Sequence, residues 1–86
     1  MTVLVPPPLH SYTAGVSRVE AEGRTLDALL DDLDRRHPGI RFRIIDEQGR
    51  VRPHIKLFVN ARLAPEIARP VAPSDEIQIV CALSGG

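Results

Sequence analysis

Eighty-six residues and 9.5 kDa admit one small domain, without room to wall off a deep catalytic cleft. Eleven Lys plus Arg balance eleven Asp plus Glu, with a pI near 6.8, which argues against binding modes that rest on a dense basic surface, such as nucleic acid or anionic lipid. An apolar fraction of 43% and a charged fraction of 26% describe a folded domain rather than a disordered one, and one cysteine rules out an internal disulfide framework or a four-cysteine metal site. No stretch approaches the roughly 20 apolar residues of a membrane span, and no signal-peptide core opens the chain. A small cytoplasmic protein is expected.

Met1 to Val5 is a short β-branched run stopped by Pro6-Pro7-Pro8, which cannot donate to a sheet ladder. After a loop through Gly15, Val16 to Ala21 alternates loosely as a second strand, and Glu22-Gly23 signals a turn. Thr25 to His37 predicts a helix, because Leu26, Leu29, Leu30 and Leu33 fall on one stripe. Thr25 is its N-cap, Asp27 and the terminal Arg35, Arg36 and His37 suit the helix dipole, and Pro38-Gly39 ends it. Asp31–Arg35 and Asp32–Arg36 are spaced as i,i+4 ion pairs, and the acids of this helix read as a solvated face. Phe42 to Ile45 is a short strand or irregular, and Asp46-Glu47-Gln48-Gly49 is a type I turn. Ile55 to Val59 is a strand, Ala61 to Ala72 mostly loop or a short turn of helix, Pro73 to Glu76 a turn, and Ile77 to Ala82 the last strand. One leucine-striped helix against a mixed sheet gives a two-layer α+β domain, a layout shared by the β-grasp fold and by some ferredoxin-like arrangements.

The body carries no catalytic constellation. His10, His37 and His54 lie in a loop, at a helix end and before a strand, without metal-ligand spacing, and read as surface or capping residues. Cys81 lies in an apolar strand and reads as a small core residue. There is no glycine-rich phosphate loop and no serine elbow. The tail differs: at a usage of about 7% each, a closing Gly85-Gly86 would arise by chance in about 0.5% of chains. Glycine packs nothing and adds disorder beside a strand.

Taken together, Val3 and Val5, Gly23-Arg24-Thr25-Leu26, Pro38-Gly39-Ile40, Phe58-Val59-Asn60, Asp75-Glu76-Ile77 and the closing Gly85-Gly86 resemble the MoaD/ThiS-type sulfur carriers over essentially the whole chain, in particular the members that serve cysteine biosynthesis. The diglycine is the specific motif. Ser74, where relatives often have Gly, and the proline-free run Ile79 to Ser84 depart from the pattern. The resemblance implies a ubiquitin-like β-grasp fold over residues 1–82, with a four- to five-stranded mixed sheet on one main helix, and a flexible tail over residues 83–86.

It also implies a protein co-substrate rather than an enzyme. A ubiquitin-activating-enzyme-like adenylyltransferase would consume ATP to adenylate Gly86, and a sulfur donor, either a sulfurtransferase or sulfide, would displace AMP to leave a thiocarboxylate. The acceptor would be an enzyme such as a cysteine synthase or the large subunit of a molybdopterin synthase. No bound cofactor and no metal are implied. Leu83, Ser84 and Gly85 would thread the partner's active site, where a Cβ on either glycine would clash; Ala82 to Gly86 extended reaches roughly 17 Å. Strand alternation puts Leu4, Phe58 and Val80 on the open face of the sheet, where relatives dock their partners. Two other readings share the sequence: a ubiquitin-like modifier conjugated through Gly86, and an interaction module with an inert tail.

Overall fold

The computed structural model describes residues 1–82. The expected tail, Leu83 to Gly86, lies outside the described residues. Five strands, β1 (Thr2–Leu4), β2 (Arg18–Glu20), β3 (Ile55–Val59), β4 (Arg62–Leu63) and β5 (Glu76–Cys81), form one sheet in the order β2-β1-β5-β3-β4. The central pair β1 and β5 is parallel, and the other neighbours are antiparallel. Helix α1 (Leu26–Arg36) covers one face. Its stripe of Leu26, Leu29, Leu30 and Leu33 shares a single buried core with Val3, Ile55, Leu57, Val59, Ile77 and Ile79. This is the mixed sheet on one main helix that defines the β-grasp layout, so the ferredoxin-like alternatives fall away.

The start of α1 is closed on every side. Thr25 Oγ1 accepts from the Ala28 N–H at 3.1 Å, as a capping threonine does. The carbonyls of Arg69 and Ile67 accept from the Leu26 and Asp27 N–H groups at 3.0 and 2.9 Å. Donors that a helix normally leaves to water are therefore met by the loop that returns from β4. Gly23 lies against the same turn: a Cβ built there would stand 2.4 Å from the Leu29 amide nitrogen.

Four sequence expectations change. Phe42 to Ile45 is not a strand, because Ile40–Ile44 forms a short second helix, α2. Gly39 takes φ +98° to start it, and Asp34 accepts from the Gly39 and Arg41 N–H groups at 3.1 and 3.0 Å. The acids of α1 are accordingly not merely a solvated face. Asp31 does not pair with Arg35; it meets Arg41 at 3.3 Å, beside the 2.7 Å Arg41–Asp27 pair, and Arg35 turns to Asp32. The Asp32–Arg36 pair forms as expected, at 2.9 Å. The stretch before Thr13 is a 3-10 helix, Pro7–Tyr12, rather than plain loop, and the second strand is confined to Arg18–Glu20. Within the expected loop after Asn60, β4 pairs back onto β3. The Asn60-Ala61 turn that allows this takes φ of +49° and +68°, both left-handed, as a tight hairpin requires.

Candidate functional site

β5 is the strand that delivers the chain's last residues, and it runs through the middle of the sheet. Cys81 pairs with Ile55 of β3, and the Ala82 N–H donates to the His54 carbonyl at 2.8 Å, so the backbone is held to the last described residue. Inward-facing Ile77 and Ile79 fix the strand in the core. Cys81 shares the inward side with Ile55 and is half-buried at the core's edge, close to the expected role. A cleft lined by Pro8, Tyr12, Arg43, His54 and Cys81 opens beside it, with Arg43 Nε donating to the Tyr12 hydroxyl at 2.6 Å.

The other end of β5 is clamped by a polar network. Asn60 Nδ2 donates to Asp75 Oδ1 at 2.8 Å, the Ala72 N–H to Asp75 Oδ2 at 2.8 Å, and the Glu76 N–H to Asn60 Oδ1 at 2.9 Å. The Ala72 N–H and the Asn60 amide hold the Asp75 carboxyl below the usual carboxylate range.

Three of the residues expected on the open face lie on the sheet face opposite α1. Leu4, Phe58 and Val80 are all half-buried on that face. Register places Leu4 and Phe58 on either side of Gln78, so they stand two strand spacings apart, about 9–10 Å. Leu4 and Val80 line one shallow concavity with Pro6, Pro7 and Gln78. Leu63, opposite Phe58, extends the row and is 52% exposed. It was not legible as a face residue, because the Asn60-Ala61 hairpin lacks the Gly that marks such turns. Arg18 closes the same row on β2, opposite Leu4. Gly86, Leu83, Ser84 and Gly85, the expected reactive and threading residues, fall outside the described residues.

The three histidines are accounted for locally: His10 Nε2 contacts the Val5 carbonyl at 2.9 Å, His37 follows α1 as its C-cap, and His54 is exposed at the sheet's end. No described helix is long and apolar enough to cross a membrane.

Residues 3–86 match the ThiS family. The chain belongs to that family. A sulfur carrier protein CysO of Mycobacterium tuberculosis is 32% identical over 91 residues, which span 100% of this chain and 98% of that one. Among solved structures, the Amycolatopsis orientalis BexX/CysO complex contains a chain that superposes with a TM-score of 0.90 at 32% identity, covering 99% of this chain and 98% of that one. SAMP1 from Haloferax volcanii superposes with a TM-score of 0.79 at 28% identity, over 100% and 98% of the two chains. The ThiS-family match runs through β5 to Gly86, so the diglycine lies inside the family's own span rather than beyond it. The same likenesses fix the fold as ubiquitin-like β-grasp.

Proposed function

We propose that this protein is a sulfur carrier of a biosynthetic pathway whose C-terminal glycine, Gly86, is the reacting residue. The observation that carries the reading is the full-length likeness to sulfur carrier proteins together with a diglycine at the end of the central strand's run. The chemistry has a plain physical logic. A carboxylate is a poor electrophile, since its charge is delocalised and oxide is a bad leaving group. Attack of the Gly86 carboxylate oxygen on the α-phosphorus of ATP, with loss of pyrophosphate, gives an acyl-adenylate. Attack of sulfide on the acyl carbon then expels AMP and leaves a thiocarboxylate.

In this reading the positioned acids and charges for both steps are supplied by an adenylyltransferase of the ubiquitin-activating type. The carrier contributes a rigid base, a docking face built on Leu4, Phe58 and Val80, and a narrow tail, Leu83-Ser84-Gly85-Gly86, that enters the partner's site. Cysteine biosynthesis is the pathway this reading favours, with a cysteine synthase-type acceptor, on the strength of the CysO likeness.

Intact-protein mass after incubation with ATP, a sulfide source and the adenylyltransferase tests the proposal. Replacement of one oxygen by sulfur at Gly86 is expected. An unchanged mass beside a demonstrably active adenylyltransferase would overturn it and leave an interaction module with an inert tail. A second reading, conjugation through Gly86 to lysines of target proteins, is favoured by the likeness to the small archaeal modifier protein of H. volcanii. Isopeptide-linked bands in extracts, absent when Gly85 and Gly86 are deleted, would establish it.

A further inference from the structure

Net neutrality conceals a segregation of charge. Residues 41–62 carry six Lys and Arg against two acids, Asp46 and Glu47, while the rest of the chain carries five against nine. The folded arrangement sharpens this. Among the described residues, ion pairs engage Glu20, Glu22, Asp27, Asp31 and Asp32 with the N-terminus, Arg35, Arg36 and Arg41. Among the described residues Arg43, Arg52 and Lys56 have no ion-pair partner, and Lys56 and Arg43 lie near the end of β5. Lys56 pairs in register with Val80, Arg52 and Lys56 line one depression at the start of β3, and Arg43 shares the cleft with His54 and Cys81.

The open sheet face is therefore graded along its strands. At the end remote from the tail stand Glu20 and Glu76, flanking Thr2. The row across the middle contains Arg18, Leu4, Gln78, Phe58 and Leu63. At the end where the chain leaves the sheet, Val80 and Lys56 stand on this face, Arg43 lies toward the other side in the cleft with Ile55, His54 and Cys81, and Arg52 lines the depression at the start of β3. Apart from Arg18 at the β2 edge and Gln78 between Leu4 and Phe58, the order is acidic, apolar, basic.

We propose that the basic end is a docking surface for an acidic protein surface that rings the mouth of the channel receiving the tail, so that the partner lands in one orientation with the channel facing residue 82. This rests on the sulfur-carrier reading, which supplies a partner that must take the tail. Charge complementarity argues for the occupant: a partner with acids at the mouth is attracted by Lys56, Arg43 and Arg52, and the reversed pose sets those acids against Glu20 and Glu76. Electrostatics of this kind acts on encounter and orientation more than on the lifetime of the complex, and salt screens it within about 10 Å at 0.1 M. The apolar row then supplies burial once the pose is set.

The test is stopped-flow association of the full chain with the adenylyltransferase that charges it, at about 50 mM and about 500 mM salt. Lys56→Gln is expected to slow association about threefold at low salt, and Lys56→Glu or Arg43→Glu about tenfold, with the differences gone at high salt. Arg24→Glu makes the same net charge change at the far end of the molecule, beside Glu22 and Gly23, and is expected to change the rate less than twofold. Melting temperatures identify any variant that fails to fold; Lys56 is exposed and has no ion-pair partner among the described residues, so its variants keep the test intact.

Equal slowing by Lys56→Glu and Arg24→Glu would overturn the proposal, since only net charge would then matter. So would unchanged enzyme association by Lys56→Glu combined with Lys56-dependent binding of a single-stranded DNA oligonucleotide, which would make the cations a nucleic-acid contact. The mass of the wild-type chain is read first and separately: if it never gains sulfur, the carrier reading fails and the docking proposal goes with it, whereas normal charging with no effect at Lys56 overturns the docking proposal alone.

Discussion

Gly23→Ala isolates a single packing constraint on which the fold depends. The backbone at Gly23 runs against the first turn of α1, and a Cβ there would stand 2.4 Å from the Leu29 nitrogen, 2.7 Å from the Ala28 carbonyl carbon and 2.8 Å from the Leu29 Cα. All three are backbone atoms of a helix whose first turn is fixed by Thr25, Ile67 and Arg69, so no side chain can swing away to make room. To bring the closest contact merely to 3.0 Å the chain must open by about 0.6 Å, and inserting a methyl group where packing is already tight costs about 1–3 kcal/mol. With three simultaneous backbone contacts we expect the upper part of that range, about 2–3 kcal/mol. For a domain of this size each kcal/mol moves the melting temperature by about 4–8 °C, so the variant should melt about 10–20 °C lower. Thermal and urea unfolding followed by circular dichroism read the change directly. The sign is decisive: were there space, Gly→Ala would stabilise by about 0.4–1 kcal/mol through the unfolded chain. A melting temperature within about 4 °C of the parent, or above it, would refute the close approach.

Ala61→Gly should act in the opposite direction, because Ala61 sits at φ +68°; relief of a left-handed strain of about 1–2 kcal/mol, less the added unfolded-state entropy, leaves a gain of about 0.5–1 kcal/mol, read as a melting temperature a few degrees higher. Phe58→Ala removes a half-buried side chain from the open face and should leave the fold intact while lowering kcat/KM for charging by about tenfold, equivalent to about 1.4 kcal/mol of lost contact; unchanged charging would remove Phe58 from the docking face. Gly86→Ala should melt with the parent yet load sulfur poorly, and equal loading would defeat the narrow-channel argument. Asp32, Asp46 and Asp75 are held below the usual carboxylate range, foremost by the Glu22, Arg50 and Ala72 N–H groups respectively, so each contributes stability that is present above the unfolded value of about 4 and lost as pH falls through the lower folded value. The melting temperature should drop steeply below about pH 4, and Asp75→Asn should flatten that drop.

What was legible in the sequence and what was not divides along a physical line. The α1 stripe, its threonine cap and the alternation of Ile55, Leu57 and Val59 are local patterns whose burial follows from period alone, and each stands where the pattern put it. The same alternation turned Leu4, Phe58 and Val80 outward as expected. The parts that escaped depend on partners distant in sequence. Ile40–Ile44 contains β-branched and aromatic residues that favour a strand, but Asp34, on a different helix, satisfies the Gly39 and Arg41 amides, and Arg41 is held by Asp27 and Asp31. Likewise Arg62 and Leu63 form a strand only because Asn60-Ala61 accepts an unfavourable turn conformation anchored on Asp75 and Glu76. Gln78 between Leu4 and Phe58, and Lys56 beside Val80, emerge from register, which no single strand's sequence contains.

The topology also holds the strand that precedes the tail on both flanks. Effective delivery of a group into another protein's site requires that the last anchored residue be placed closely, because misplacement of about 1 Å can cost about 100-fold in rate. β5 meets that need by lying between two partners: residues 76–78 pair with β1 on one side, and residues 77–81 pair with β3 on the other. The Asn60–Asp75 network closes its start, and the His54 carbonyl holds Ala82 at its finish. An edge strand could not provide this, since one flank of its hydrogen bonds would be open and its end free to fray. From Ala82 onward, four residues span at most about 14 Å, so on the proposed reading a site that modifies Gly86 would come to within that distance of the sheet's end. A partner approaching so closely cannot avoid the exit's surroundings. On the docking proposal Lys56 and Arg43, beside the end of β5, fall within that partner's footprint, and acids on the partner would answer their charge.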